Sequence, residues 1–378
     1  MTHHPARAWS FADLAAALLA EAHRGAVTVR RCAERNSLAM YTYSNRATYE
    51  HLWTPAVEMA RGLILDHDAQ RIVATPFPKF FNLGERGVTP PSEAFEAFEK
   101  VDGSLIVLAH DGERWRCTTK GSFASAQAQW AQAWLATRDT SALLTGVTYC
   151  FEAVYPENRI VVAYPWSGLV LLGAYGEDGR EWSYPELLAA ADGLGARVAT
   201  RYAYPSLAAL VDAAAAFRAD NEGFVVRFAN GFRLKVKGAE YLRVHRLVSR
   251  VTPLALWEAI AAGDDLEAIR APLPDEFAAA YKAIRDILLA DLSRVTDAVE
   301  TEHAKWSTAS DRDVGLALST IPEPARGLLF PRRKGGPAWL DSPKTRVAVC
   351  RNFRPDGNVL PGYSPSAAMN RLADTETA

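Results

Sequence analysis

The sequence predicts an α+β protein: an N-terminal domain of antiparallel sheets flanked by helices over residues 1–245, then an all-helical domain over residues 246–378. Three observations carry this expectation. Short apolar runs alternate with turn signals as far as about residue 177 and return near residue 222. Two of the turns, Asp111-Gly112 and Asn230-Gly231, are hairpin dipeptides, which join neighbouring strands antiparallel. Beyond His245 the apolar spacing becomes helical, with Phe277, Tyr281, Ile284, Ile287 and Leu288 on one stripe. A chain of 378 residues, 49% hydrophobic and 23% charged, can bury two such cores.

In chain order, Ser10 followed by Asp13 caps a first helix that carries Leu14, Leu18 and Leu19 and ends near Gly25. Gly62-Leu63-Ile64-Leu65 reads as a short buried strand and Ile72-Val73-Ala74 as the next, while Pro76-Phe77-Pro78-Lys79-Phe80-Phe81-Asn82-Leu83 fits neither period. Residues 105–119 fold as a hairpin about Asp111-Gly112. That hairpin sets Trp115, Cys117 and Thr119 against Arg114, Arg116 and Thr118 and returns Lys120 beside Gly103 and Ser104. A helix rich in Ala and Gln spans residues 125–137. Strands at 148–154 and 160–164, joined by Tyr155-Pro156-Glu157-Asn158, precede helices at 185–191 and 206–218. Helices at 253–262 and 274–306 open the second domain. A basic loop, Arg332-Arg333-Lys334-Gly335-Gly336, then leads to a tail that is polar from Tyr363 onward and expected to be poorly ordered.

Asn230-Gly231 gives the sharpest local expectation. A two-residue turn there opposes Val226 to Lys235 and Phe224 to Lys237, and Glu222 shares the parity of Phe224 and Val226. Glu222, Lys235 and Lys237 then project from one face. Placing charge beside Phe224 and Val226 is costly unless something binds there, whereas an exposed cross-strand ion pair is the commoner meaning of the same residues.

Composition excludes several classes. Net charge is −2 with a pI near 6.5, so nucleic-acid contact must come from a local basic patch. The four cysteines, Cys32, Cys117, Cys150 and Cys350, lack paired metal-ligand spacing and fit reduced thiols in a cytoplasmic protein. His3-His4 is too short for a metal tract, and His110 and His245 are isolated. No apolar run reaches membrane-spanning length, so a soluble monomer with no membrane partner is expected. Neither a Walker glycine loop, nor a dinucleotide fingerprint, nor a His-Glu-x-x-His metal motif is present.

What remains is a series of charged residues placed at the ends of predicted strands: Arg61, Lys79, Lys100, Lys120, Glu152, Glu222, Lys235 and Lys237. One such residue means little; the ordered series suggests a polyphosphate cradle in a cleft between sheets. Lys100, beside Gly103 and Ser104, suits attack on a nucleotide phosphate. It would need neighbouring positive charge or desolvation to lower its pKa.

Lys100-Val101-Asp102-Gly103-Ser104 resembles the nucleotidyl-acceptor motif of covalent nucleotidyltransferases, the superfamily of polynucleotide ligases and RNA capping enzymes. The closer resemblance is to the phage T4-type RNA ligases, over roughly residues 41–245. It is carried in order by Ala60-Arg61-Gly62, Lys79-Phe80-Phe81-Asn82-Leu83, the Lys100 motif, Lys120-Gly121-Ser122, Phe151-Glu152, Asn158-Arg159-Ile160-Val161, Glu222-Gly223-Phe224-Val225 and Lys235-Val236-Lys237. The Lys-Phe-Phe-Asn and Asn-Arg-Ile-Val strings are not general to the superfamily and point to the RNA ligase branch.

The resemblance implies a nucleotidyltransferase fold and an ATP-dependent RNA ligase that uses Mg²⁺ or Mn²⁺. Lys100 would take the adenylyl group of ATP as lysyl-AMP, pass it to an RNA 5′-phosphate, and an RNA 3′-hydroxyl would displace it. By the same resemblance Arg61 and Lys79 contact phosphates or the 5′ end, Lys120 helps hold the nucleotide, and Phe81 packs on the adenosine. Glu152 contacts the ribose, Glu222 orients a metal-bound water, and Lys235 and Lys237 touch the α-phosphate. Tyr43 and Tyr241 correspond to two nucleotide-site tyrosines. With the metal, Lys235 and Lys237 would lower the Lys100 pKa. Asp102 is read as a turn residue of its Asp-Gly pair, with shaping of the loop as the other reading and no catalytic role. Residues 246–378 would choose the RNA, with a nicked tRNA in RNA repair as one candidate. The rival readings are a capping-type guanylyltransferase, a DNA ligase and an inactive RNA-end-binding protein. A helical C-terminal region argues against the first two, and the intact lysine and glutamate set against the third.

Overall fold

Ser10 begins the fold as its spacing predicts. Its hydroxyl accepts from the Asp13 amide and caps α1 (Phe11–His23), which buries Leu14 and Leu18 and leaves Leu19 largely in solvent. In this computed structural model, which describes residues 2–85, 89–249, 251–273, 275–356 and 359–363, the chain continues through β1 (Val27–Arg31), β2 (Leu38–Tyr43), α2 (Asn45–Tyr49), α3 (Pro55–Met59), β3 (Arg61–Asp66) and β4 (Arg71–Ala74). Then come β5 (Phe81–Asn82), β6 (Phe95–Glu99), β7 (Ser104–His110), β8 (Trp115–Thr119), α4 (Ala126–Leu135), β9 (Thr148–Val154) and β10 (Gly168–Tyr175). The sheet-rich part closes with α5 (Tyr184–Leu194), β11 (Arg197–Val198), β12 (Arg201–Tyr202), α6 (Leu207–Ala215), β13 (Gly223–Phe228), β14 (Arg233–Lys237) and α7 (Ala239–Ser249). The chain divides into two compact units within α7, one running through Arg243 and the other starting at Val244.

The first unit holds three sheets, with strand orders β1-β2-β3-β4, β11-β10-β9-β7-β8 and β12-β6-β13-β14-β5. Every pairing is antiparallel except two short edge pairings, β10 with β11 and β14 with β5. Strand alternation divides the apolar residues between layers. Leu38, Met40, Ile64 and Val73 of the first sheet meet Val107 and Ala109 of β7, while Ile106 and Leu108 turn the other way, toward Tyr149, Phe151 and the helix residues Leu135 and Leu187. In the third sheet Phe224, Val226, Leu234 and Val236 pack on Leu210 and Ala214 of α6. Cys32, Cys117 and Cys150 are free and buried in these cores.

The second unit contains α8 (Pro253–Ala262), α9 (Leu266–Arg270), α10 (Asp275–Lys305), α11 (Asp311–Leu316), α12 (Ala325–Gly335) and α13 (Pro343–Cys350), and no strand among the described residues. Phe277, Tyr281, Ile284 and Leu288 of α10 are buried and Ile287 partly so. The expected basic loop is instead the last turn of α12. Arg332 pairs with Glu300 at 2.5 Å and Arg333 with Asp311 at 2.7 Å, so two of its three cations are tied down within the unit. The polar tail expected from Tyr363 falls outside the described residues beyond that tyrosine. No helix among the described residues is long and apolar enough to cross a membrane.

Three local expectations change. Residues 160–164 do not form a strand; the amides of Val161 and Val162 donate to the Asp102 carboxylate at 2.9 and 2.8 Å, which replaces a ladder. Lys120 comes back level with Leu105, one residue short of Ser104, because Ile106 pairs with Thr119. The Asn230-Gly231 turn takes a three-residue loop closed between Phe228 and Phe232, with Gly231 at φ +88°. Phe224 therefore faces Val236, and Val225 faces Lys235. This one-residue slip keeps Phe224, Val226, Leu234 and Val236 on the core face and sends both lysines to the other.

Glu222 still meets Lys237, at 3.1 Å, for a different reason, while no ion pair joins it to Lys235 among the described residues. Glu222 precedes the strand, and Gly223, at φ +140°, breaks the alternation between them. A Cβ on Gly223 would lie 2.0 Å from the Val236 carbonyl oxygen, so no other residue fits without moving β14. Gly223→Ala is expected to cost roughly 2–3 kcal/mol of stability from strain and clash, read as a lowered denaturation midpoint. A midpoint equal to that of the natural chain would contradict this backbone.

Candidate active site

Three chain segments bring a carboxylate and two amines together. Lys100 follows the end of β6, where its amide donates to the Gly223 carbonyl at 2.9 Å; Glu222 precedes β13; Lys237 ends β14. The Lys100 Nζ lies 2.6 Å from Glu222 Oε2 and the Lys237 Nζ 3.1 Å from Oε1. Burial pushes the Glu222 carboxyl up, and the two ammonium groups more than reverse this, holding it below its ordinary value. Burial also opposes charge on Lys100, yet Glu222 and Glu152 outweigh it and raise its pKa. The lowering expected of Lys100 involves the metal together with Lys235 and Lys237; among the protein groups alone the carboxylates prevail. Lys235 is the lysine pushed well down, by burial and then by Lys100, Arg61, Lys79 and Lys237, with no carboxylate bound to it among the described residues.

The Lys100 loop is anchored from beneath by Asp102. Only 3% exposed, its carboxylate accepts from the Val161 and Val162 amides and from the Tyr241 hydroxyl at 3.1 Å, while its own amide donates to the Tyr164 hydroxyl at 2.9 Å. Asp102 thus shapes the loop, the second of its two readings, by fixing the path from Lys100 to Gly103. The next residue, Gly103, passes so close to β9 that a Cβ would meet the Ala153 carbonyl oxygen at 2.4 Å. The signal for Asp102 was its place inside the Lys100 motif. Nothing local to Tyr164 marked it.

The remaining charged residues border the same place. Glu152 lies within β9 rather than at a strand end, and its side chain approaches Gly103. Burial, with Glu222 and Asp102 nearby, outweighs Lys100 and Arg61 and pushes the Glu152 carboxyl up to about 8. Lys235 lies inside β14 and Lys79 in the irregular run before β5, so neither sits at a strand end either; Arg61 starts β3, and Lys120 follows β8. These cations rest on aromatic rings. The Lys79 Nζ is 5.2, 5.2 and 5.4 Å from the ring centres of Tyr43, Trp53 and Phe81, and the Lys120 Nζ is 5.7 Å from that of Tyr43. Lys235 lies 4.9 Å and Arg61 5.9 Å from Phe80, and Lys237 lies 5.3 Å from Tyr241. Burial raises the Tyr43 hydroxyl pKa, and Lys120, Arg61 and Lys79 together reverse the shift to a net lowering. Phe80 was missed by sequence reasoning, which singled out Phe81 from the pair.

Six basic side chains thus stand against three carboxyls, Glu222, Glu152 and Asp102, and burial pushes the last two up. Such a surplus suits a polyphosphate. No group of three His, Cys, Asp or Glu side chains among the described residues could by itself hold a metal ion. A Mg²⁺ fits here only in its usual protein mode, through one or two carboxylates, waters and ligand phosphates.

Residues 59–241 match the family model described as RNA ligase, of the T4 type. That span includes Lys100, Glu222, Lys235 and Lys237. Over these residues the chain is similar to the T4-type RNA ligases. Among curated relatives, RNA ligase 1 of bacteriophage TS2126 is 31% identical over 188 residues, covering 43% of this chain and 47% of the relative. The RNA ligase of Rhodothermus phage RM378 is 25% identical over 192 residues, covering 39% and 43%. The chain spans between about a third and a half of the length of the curated relatives it matches. A solved archaeal ATP-dependent RNA ligase is 16% identical with a TM-score of 0.48, covering 71% of this chain and 75% of its own.

Glu152 provides a pH test of this site. Folded, it keeps its proton to about pH 8, whereas unfolded it ionises near its ordinary 4.5. Between those values the folded form binds the extra proton, so its contribution to stability falls as pH rises. Glu152→Gln removes that slope. From pH 5 to pH 8 the stability difference should move in favour of the variant by roughly 2–4 kcal/mol, followed by denaturant unfolding at both pH values. A constant difference would contradict the raised carboxyl.

Proposed function

We propose that this chain is an ATP-dependent RNA ligase that carries AMP on Lys100. The observation that supports this best is the pair of lysines on the two oxygens of Glu222, inside the family-matched span. In the first step the Lys100 Nζ attacks the α-phosphorus of ATP. The bond from that phosphorus to the β-phosphate oxygen breaks, and pyrophosphate leaves with the electron pair. The adenylyl group then passes to the 5′-phosphate of an RNA, and a 3′-hydroxyl displaces AMP to form the phosphodiester.

Lys100 needs a free electron pair for this attack, and Glu222 opposes its release by raising the Lys100 pKa. An anionic nucleotide drawing Lys237 onto its α-phosphate would loosen one side of that triad, and Lys235, Arg61, Lys79 and Lys120 would receive the remaining phosphate charge. Tyr43 and Phe81 line the same cation-rich rim, where adenosine would pack, with Glu152 on the ribose and Tyr241 supporting the Lys100 loop through Asp102. A Mg²⁺ held by Glu222 through water would neutralise phosphate oxygens and draw carboxylate charge away from Lys100.

Incubation with Mg²⁺ and α-labelled ATP is expected to label the natural chain through an acid-labile bond, and Lys100→Ala not at all. Labelling by GTP instead would favour a capping enzyme, and labelling by neither nucleotide would overturn the ligase reading. With the adduct in hand, joining of 5′-phosphorylated RNA but not DNA strands completes the assignment.

The helical unit is the proposed selector of the RNA, with nicked tRNA the first substrate to try. A chain ending at residue 249 is expected to keep lysine adenylylation and to lose its preference among RNA ends. Unchanged relative joining rates for nicked tRNA and a linear RNA would remove that role.

A further inference from the structure

Trp53 lies outside the matched family span, yet its ring forms one wall around Lys79. The loop that presents it is held unusually tightly. His51 adopts φ +54°, a left-handed conformation uncommon for a residue with a Cβ, and the Trp53 amide donates back to the His51 carbonyl at 2.9 Å. Leu52 donates to the Ala47 carbonyl at 2.9 Å. On the other side Thr54 caps α3 by accepting from the Val57 amide and donates its hydroxyl to Glu21 at 2.9 Å. Backbone strain at His51 is thus retained between two fixed points, with Trp53 between them.

The indole stands edge-on to both other walls, 5.2 Å from Tyr43 at 72° and 5.3 Å from Phe81 at 78°. The three rings surround the Lys79 ammonium at nearly equal distances. No carboxylate pairs with Lys79 among the described residues. Most lysines in proteins are either in water or on a carboxylate. Ring faces attract the ammonium through their quadrupoles but carry no net charge, so the cation is held in place without being neutralised. The Lys79 amide is fixed as well, donating to the Glu58 carbonyl at 2.7 Å.

We infer that Trp53 is a positioning residue for polyphosphate binding: with Tyr43 and Phe81 it holds the unneutralised Lys79 ammonium ready for an anionic phosphate of the nucleotide. The inference rests on the ATP-dependent reading of the same site. It makes Trp53 act through Lys79, not through contact with the reacting atoms.

The test measures ATP binding by calorimetry and adduct formation in parallel, on the full chain. Trp53→Leu should raise the half-saturating ATP concentration by roughly three- to tenfold, the range expected for loss of one cation–ring contact, with a smaller change in the maximal rate of adduct formation. Trp53→Phe, which keeps a ring, should recover most of the affinity. In a Lys79→Ala background Trp53→Leu should have no further effect on ATP binding. Because Trp53→Leu also removes packing, site-specific replacement of Trp53 by progressively fluorinated tryptophans gives a second series of nearly constant shape. Affinity should fall stepwise with fluorination. An effect that adds to that of Lys79→Ala, or affinity indifferent to fluorination, overturns the assignment. If the natural chain binds ATP with this dependence on Trp53 but forms no adduct, the ligase reading fails and the Trp53 assignment stands. If it forms the adduct and the Trp53 series is flat, the reverse holds. If it binds no ATP, both fail.

Discussion

The Glu222 carboxylate is the point on which the site depends. It takes one lysine on each oxygen, and those lysines arrive from the ends of β6 and β14. Withdrawing three charged groups from water together is unfavourable unless the geometry holds them in contact, and removing one member of such a set typically costs about 3–5 kcal/mol. Here the geometry is imposed by the backbone. Gly223 turns Glu222 out of the strand alternation, Lys100 donates its amide to the Gly223 carbonyl, and Gly238 donates its own to the Glu222 carbonyl. The register of the third sheet and the composition of the charged triad are therefore one constraint seen at two scales.

Much of this was legible in the residues, and the parts that were not share a physical cause. The sequence located the Asn230-Gly231 turn but could not supply its length. A dipeptide signal is equally at home in a two- or three-residue loop, and one residue reverses every face. The two-residue register would have set Lys235 and Lys237 beside Phe224 and Val226; burial of those apolar side chains selects the other. The run of β-branched residues at 160–162 looked like a strand because its partner is invisible locally. The Asp102 carboxylate that accepts two of its amides is 59 and 60 residues away in the chain. Motif strings named residues that the structure brings together around Lys100. What they could not show is which lysine is ion-paired and which is depressed, since that depends on distances across three segments.

Two ways of holding a lysine coexist in the first unit. Lys100 and Lys237 share a carboxylate, which fixes them and raises the Lys100 pKa. Lys79 and Lys120 rest on rings, which locate an ammonium without cancelling its charge. The proposed reaction needs both a neutral amine and attraction for a highly charged anion, and for it these holds would do different work. In the proposed reaction the carboxylate would keep the Lys100 amine protonated until the charge pattern around it changes. The rings keep the surrounding cations available from the outset.

The buried cysteines give the two units a chemical readout of their own. Cys32 lies between the first and second sheets, Cys117 on the helix-facing side of the second, Cys150 against Phe77 and Tyr175, and Cys350 in the helical unit. Burial pushes the Cys117 and Cys150 thiols up to about 12, so neither can react as a thiolate until its surroundings open. The speed with which each thiol is trapped under native conditions therefore reports how often its own layer comes apart. The natural chain already carries, without any substitution, four separately placed clocks for its internal motions.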